Sequence, residues 1–323
     1  MSVLVTGGAG YIGSVVAERL LARGQTVVVL DNLCRGHRDA VPAGARFIQG
    51  NIDDRPLLAD LVRAERVRAV MHFAAFALVG ESVEKPELYY RNNVIGSLAL
   101  IEEARAAGVE RFILSSTAAV YGDRHPSPIP EEAAPLPINP YGETKLAVER
   151  ALEWLRRRGW TYFALRYFNA CGATAERGER HDPETHLIPR VLMAATGESG
   201  AIDVLGDDYP TPDGTCVRDY VHVEDLADAH ILTLGADPGL SGPYNVATGR
   251  GHSVREVIDA ARRVTGREIR EKVAPRRPGD PPELVADSSK IQRLLGWRPR
   301  HDLESAVRSA WASKMRQPAP SLG

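Results

Sequence analysis

The 323-residue sequence has little cysteine, few aromatic residues and almost no net charge. Its three cysteines, Cys34, Cys171 and Cys216, lie far apart and are odd in number. That excludes a disulfide framework and fits a reducing cytoplasm. A net charge of -2 argues against nucleic acid or an acidic membrane surface as the main partner. No apolar run approaches the roughly 18 residues needed to cross a bilayer, so no membrane anchorage is expected. Met1 leads straight into Ser2–Thr6 with no basic region or cleavage site. The nine histidines show no close pairing with cysteine or carboxylate of the kind metal ions use, so no metal is expected.

What is present suffices for a sizeable core. The length exceeds the usual size of one core, so two lobes or one enlarged α/β unit are expected. Short β-branched runs at Val3–Thr6, Thr26–Leu30, Arg46–Gln49, Ala69–Phe73, Arg111–Ser115 and Thr161–Arg166 read as strands. Helical patterns lie between them, at Ile12–Ala22, Pro56–Ala64, Asn92–Ala107 and Pro140–Arg158. This alternation predicts an α/β fold, a Rossmann-type doubly wound parallel sheet with helices on both faces. Beyond about residue 170 the chain turns polar and loop-rich, with shorter helices at Leu187–Thr196, Val223–Leu234, Val254–Thr265 and Leu303–Ser313. The expected division is residues 1–169 as a dinucleotide-binding domain and 170–323 as a smaller C-terminal α/β substrate lobe. Residues about 219–247 would return to the first domain. The tail 317–323 has the composition of a frayed end.

Gly7, Gly10 and Gly13 join the first strand to the first helix. Glycines there permit a tight turn, close approach of backbone to a pyrophosphate, and close helix–strand packing. The helix start then aims free N–H groups at the phosphates. Asp31 ends the second strand, where a carboxylate accepts both adenosine-ribose hydroxyls and repels a 2′-phosphate, favouring NAD over NADP. Arg35 and Arg38 follow in a surface loop and are read as solvated.

Tyr141 and Lys145 stand four apart at a helix start, on one face. A phenol with its ordinary pKa of about 10 is a poor base near neutrality. A lysine cation and an oxidised nicotinamide nearby would favour the phenolate and make the pair a general acid–base. Ser115, Ser116 and Thr117 end the preceding strand, at the edge where doubly wound sheets place ligands.

Motifs over nearly the whole chain then carry a family resemblance. They include GGAGYIGS (Gly7–Ser14), DNL (Asp31–Leu33), HFAA (His72–Ala75), SSTAAVYG (Ser115–Gly122) and NPYGETK (Asn139–Lys145). RYFN (Arg166–Asn169), HLIP (His186–Pro189), the block Gly206–His230 and the closing LGW (Leu295–Trp297) complete the set. The sequence resembles the UDP-glucose 4-epimerases of the extended short-chain dehydrogenase/reductase superfamily. The resemblance implies that Thr117 and Tyr141 share proton transfer while Lys145 orients the nicotinamide ribose. It implies NAD contacts from Tyr11, Ile12, Asp31, Asn32, Asn51, Ile52, Phe73, Ala74, Ala75, Asn92, Ser115 and Phe168, besides the glycine turn. Asn169, His186, Leu187, Val204, Arg218, Tyr220, Arg277 and Asp280 would hold a UDP-sugar. For the two arginines the chemistry agrees, because guanidinium forks suit a diphosphate. Leu284 stands where side-chain size would admit or exclude an N-acetylated sugar.

The implied activity is reversible oxidation at C4 of UDP-galactose or UDP-glucose by a cytoplasmic homodimer. The alternative is a 4-epimerase of another UDP-sugar, whether an N-acetylhexosamine, a pentose or a uronate. A 4,6-dehydratase would carry an acid pair after the active-site Thr, and here Ala118 and Ala119 follow Thr117. A non-catalytic NAD sensor would keep the glycine turn and lose the base, whereas Thr117, Tyr141 and Lys145 are all present.

Overall fold

The computed structural model describes residues 1–277 and 279–316. The expected frayed tail lies outside them. Seven parallel strands form the main sheet: β1 (Ser2–Thr6), β2 (Thr26–Asp31), β3 (Arg46–Gln49), β4 (Val67–His72), β5 (Arg111–Thr117), β6 (Thr161–Tyr167) and a later strand at Gly242–Val246. In space the order runs β3-β2-β1-β4-β5-β6 and then Gly242–Val246 at the far edge. From β1 the chain winds outward to β3, then crosses back to β4 and winds the other way. The reversal opens a crevice at the C-terminal ends of β1 and β4, where such sheets bind ligands.

Both faces of the sheet are buried, which is why β1 reads as an unbroken apolar run. Val3 and Val5 point into one core layer with helix α1 (Tyr11–Ala22). Leu4 points into the opposite layer with helix α2 (Arg55–Ala64). A seam of Asp31 to Gln49 and Val28 to Arg46 fixes the register of β2 on β3.

A second group of elements builds a separate core. Short strands β7 (Asn169–Cys171), β8 (Ile202–Leu205) and β9 (Val217–His222) enter it, with helices at Leu187–Thr196, Val254–Thr265 and Leu303–Arg316. Ser253 begins the second of these helices with a capping box to Glu256, and Gly266 ends it in the left-handed region. Val257, Ile258, Ala260 and Ala261 line its buried face against Ile188, Val191, Leu192 and Val307.

One helix departs from expectation. The segment expected as a regular helix over Asn92–Ala107 enters through a short helix at Pro86–Tyr89. It widens to a π-helical stretch at Tyr90–Gly96 and becomes regular only at Ser97–Ala106. A wide turn advances the side-chain register by about one residue and often marks a functional position. Here it turns Asn93 inward, where its side chain accepts from Phe76 N at 2.9 Å and donates to Phe76 O at 3.0 Å. Hydrophobic periodicity cannot signal this, because both kinds of turn bury the same apolar face.

Candidate active site at the reversal of the sheet

The glycine turn has the backbone it needs. Gly7 lies at φ +72°, and a Cβ there would come 2.6 Å from Ala74 N. A Cβ on Gly13 would stand 2.3 Å from Gly7 O. Gly10 begins α1 without any side-chain cap, whereas Asp54, Asn139 and Ser253 cap their helices. The first amides of α1 are thereby left to a ligand, and an anion suits them. Asp31 sits at the end of β2 with its Oδ2 accepting from Ala9 N at 3.0 Å and its Oδ1 from Leu33 N at 2.8 Å. Its carboxylate is thus locked beside the turn. Asn32 donates to Asn51 Oδ1 at 2.7 Å, and Asn51, Ile52, Phe76 and Asn92 line a cavity of about 180 Å³. Tyr11 donates through its hydroxyl to Gly172 O at 2.5 Å, tying α1 to the end of β7. Phe73 stacks on the buried His230 at 4.7 Å between ring centres. An uncapped helix start, a glycine turn and a fixed carboxylate form the donor set that an adenine dinucleotide requires.

Thr117 and Tyr141 are brought together by a close helix approach. Asn139 caps the next helix, α6 (Pro140–Arg156), by accepting from Gly142 N at 2.9 Å. A Cβ on Gly142 would fall 2.5 Å from Ala119 O, so only glycine lets α6 start hard against the turn that follows Thr117. The Tyr141 phenol then stands near Thr117, whose hydroxyl oxygen accepts from Ala119 N at 3.1 Å. Burial raises the Tyr141 pKa above its ordinary value, and the hydrogen bond with Thr117 opposes that rise.

The expected lowering of the Tyr141 pKa joins the Lys145 charge to that of an oxidised nicotinamide. The protein's own side chains leave the phenol shifted up by burial, with the ammonium directed elsewhere. Lys145 Nζ donates to Ser115 O at 2.8 Å, and burial lowers its own pKa to about 8 against the opposing charge of Glu149. One turn of helix places the two side chains on one face without aiming one charge at the other's oxygen.

Behind these residues lies support that sequence reasoning missed. Arg166 pairs with Glu149 at 2.5 Å inside the protein, and Arg166 also donates to Tyr121 at 2.8 Å. Ser116 donates to the same Glu149, so β5, β6 and α6 share one buried polar knot. His72 bridges Thr6 and Ser97, each at 2.7 Å, and burial lowers its pKa to about 3. Tyr167 hydrogen-bonds His230 Nε2, and His230 Nδ1 meets Leu226 O at 2.9 Å. Burial raises the Tyr167 pKa, and Ser115 opposes that rise. The motifs HFAA, SSTAAVYG and RYFN contain His72, Ser116, Tyr121 and Arg166, but nothing in them announced these contacts.

The residues expected to hold substrate are divided. Arg218, Arg277 and Asp280 do come together, as Arg277 makes a two-pronged pair with Asp280 at 2.8 and 3.0 Å and Arg218 Nη2 lies 3.4 Å from it. Two guanidinium groups against one carboxylate leave a net positive charge. Asn169 donates to Asp219 O at 3.1 Å. Phe168 and Leu284 pack on one cluster with Tyr121 and Leu146. Val204 and Tyr220 are buried in the second core, with Leu187 packed against it.

His186 is committed to Glu179 and Glu184. The expectation that the histidines have no carboxylate partners is therefore overturned. Glu179, His181, Glu184 and His186 converge, as do His222, Glu224 and His301. Glu179–His181, Glu184–His186 and His222–Glu224 are each two residues apart, and chain reversal adds the contacts between the pairs and with His301. Among the described residues no helix is long and apolar enough to cross a membrane.

A model of the NAD dependent epimerase/dehydratase family matches residues 3–247. The chain is 51% identical to the UDP-glucose 4-epimerase of Streptomyces lividans, covering 95% of this chain and 94% of that protein. A crystal structure of a UDP-glucose 4-epimerase superposes with a TM-score of 0.95 at 49% identity, over 99% of both chains. That of the Stenotrophomonas maltophila UDP-glucose-4-epimerase, with bound NAD and formylated UDP-arabinopyranose, gives a TM-score of 0.93 at 41% identity over 98% of both.

Proposed function

On the premise that this chain belongs to the NAD dependent epimerase/dehydratase family, we propose that it interconverts UDP-galactose and UDP-glucose by inverting the configuration at C4. The observation that carries the reading is the Thr117–Tyr141 pair beside Lys145, at the mouth of the crevice that the glycine turn and Asp31 define. NAD, which the glycine turn and Asp31 would hold, would supply reversible hydride acceptance at sugar C4, and its positive charge would favour the Tyr141 phenolate.

Tyr141 takes the proton of the C4 hydroxyl and gives it back to the ketone oxygen. Thr117 hydrogen-bonds the same oxygen and keeps the phenol oriented. Lys145, fixed by the Ser115 carbonyl, orients the nicotinamide ribose. Arg218 and Arg277 neutralise the diphosphate, and Asp280 passes from holding both arginines to sharing them with substrate. Firm grip on the UDP part leaves the hexose free to turn, which both faces of C4 require. Asn169 and Leu187 belong to the UDP side of the site in this reading, whereas His186 is committed to Glu179 and Glu184, and Val204 and Tyr220 to the second core.

The second reading, a 4-epimerase of another UDP-sugar, rests on the S. maltophila relative, whose structure holds formylated UDP-arabinopyranose. We place the protein in the cytoplasm as a homodimer. Support for the dimer comes from Ile95, 60% exposed at the end of the π-helical stretch, and Trp154, 65% exposed on α6.

Purified protein incubated with UDP-galactose and no added cofactor should form UDP-glucose. No product even with added NAD would remove this substrate from the reading.

A further inference from the structure

The loop between β7 and the helix Leu187–Thr196 carries a repeated Glu-x-His unit, Glu179-Arg180-His181 and Glu184-Thr185-His186. The fold curls the two units onto each other, so that one ligand atom from each of the four side chains lies within 4.8 Å of all the others. His181 Nδ1 is 2.9 Å from Glu179 Oε1, and His186 Nδ1 is 2.8 Å from that same oxygen. His186 Nδ1 is also 3.0 Å from Glu184 Oε1. Both carboxylates are largely withdrawn from water, with side-chain exposures of 8% and 10%.

Hydrogen bonding alone serves this arrangement poorly. A ring nitrogen carries at most one proton, yet His186 Nδ1 faces two carboxylate oxygens, Glu179 Oε1 and Glu184 Oε1. A single divalent ion would let all four side chains donate to one centre. Two neutral imidazoles and two carboxylates around it give a charge-neutral site. Ligands about 2.1 Å from a tetrahedral zinc ion lie about 3.4 Å from one another, within the spread found here. The other cluster is already spoken for, since His222 Nε2 bonds Ser309 at 2.9 Å and His222 Nδ1 accepts from Glu224 N at 3.1 Å.

We propose that Glu179, His181, Glu184 and His186 bind one transition-metal ion of the zinc class, with a structural role. The loop is strapped across the turn that follows Asp31. Arg180 pairs with Asp39 at 2.7 and 2.9 Å, His37 contacts Arg180 O at 3.0 Å, and Arg35 donates to Asp182 O at 3.2 Å. The His181 ring also stands edge-on to Tyr11, at 6.4 Å between centres. The ion fastens this strap to the root of the following helix and so keeps it over the dinucleotide crevice.

The test uses tag-free full-length protein, dialysed against a chelator and titrated with Co²⁺ alone. One equivalent should be taken up with the visible absorption of a low-symmetry, nitrogen-and-oxygen-ligated cobalt, and Zn²⁺ should displace it and raise the melting temperature. The double variant H181N/H186N should lose at least about a hundredfold in Co²⁺ affinity, since ligand loss exceeds the tenfold to hundredfold typical of outer partners. The milder E184Q should weaken uptake while keeping the native circular dichroism. Failure of the wild-type protein to bind Co²⁺ or Zn²⁺, or equal uptake by folded E184Q and the double variant, would overturn the proposal.

Discussion

The Lys145 ammonium donates to the Ser115 carbonyl oxygen at 2.8 Å, joining α6 to the C-terminal end of β5. Burial holds this lysine near pKa 8, below its ordinary 10.5. A depressed amine makes the folded state bind fewer protons than the unfolded chain between those two values. Stability should therefore rise with pH from about 8 upward, by at most about 1.4 kcal/mol per pH unit. The variant K145M should lose that slope. Denaturant unfolding of both proteins at several pH values between 7 and 9.5 checks it, and parallel curves would refute the shift.

Tyr141 is assigned the proton of the C4 hydroxyl. Replacing it with Phe should lower kcat by about 10² to 10⁴ while the protein keeps its dinucleotide. T117A should cost less, because Thr117 supports the same oxygen without carrying the proton. Steady-state kinetics together with the absorbance of the retained cofactor separates a chemical loss from a binding loss. Full turnover by Y141F would reassign the base.

The Arg166–Glu149 pair is buried, with side-chain exposures of 4% and 5%. Breaking it in E149Q should destabilise the protein by about 3–5 kcal/mol, since a buried guanidinium loses its counter-charge. Replacing both residues with methionine should recover much of that loss. Urea melts of the two variants decide the matter, and an unaltered midpoint for E149Q would show that the knot contributes nothing.

Gly13 has ordinary backbone angles, so its requirement is one of space. The extra methyl of G13A meets Gly7 O at 2.3 Å and must push α1 away from the turn. A loss of about 1–3 kcal/mol is expected from such overpacking. The displaced helix start should also release NAD on gel filtration, where the wild-type protein retains it.

For the dimer, charges placed on the exposed apolar side chains give the contrast. I95E with W154E should sediment as a monomer of intact fold, while the parent protein sediments as a pair. Two monomeric species would withdraw this interface.

Several features were legible in the sequence because they are local. The glycine turn, Asp31 closing β2 and the Tyr141–Lys145 spacing need only a strand, a helix and their junction, and each sits where its motif placed it. Short β-branched runs located the first six strands to within a residue or two, since a sheet buried on both faces demands continuous apolar stretches. Val254–Thr265 was equally clear, as Ser253 and Glu256 announce its start.

Tertiary packing decided the rest. The Lys145 ammonium is directed at the Ser115 carbonyl by the packing of α6 on β5, a contact absent from any pattern along the chain. The π-helical turn that delivers Asn93 to Phe76 buries the same apolar face as a regular turn, so periodicity is silent about it. Each Glu-x-His pair is local, but Glu179 meets His186 only because the loop folds back on itself. Local sequence sets which elements form, through propensity and the burial of apolar faces. Which polar groups then face one another is set by long-range contacts, and those determine the charges, the hydrogen bonds and the chemistry of the site.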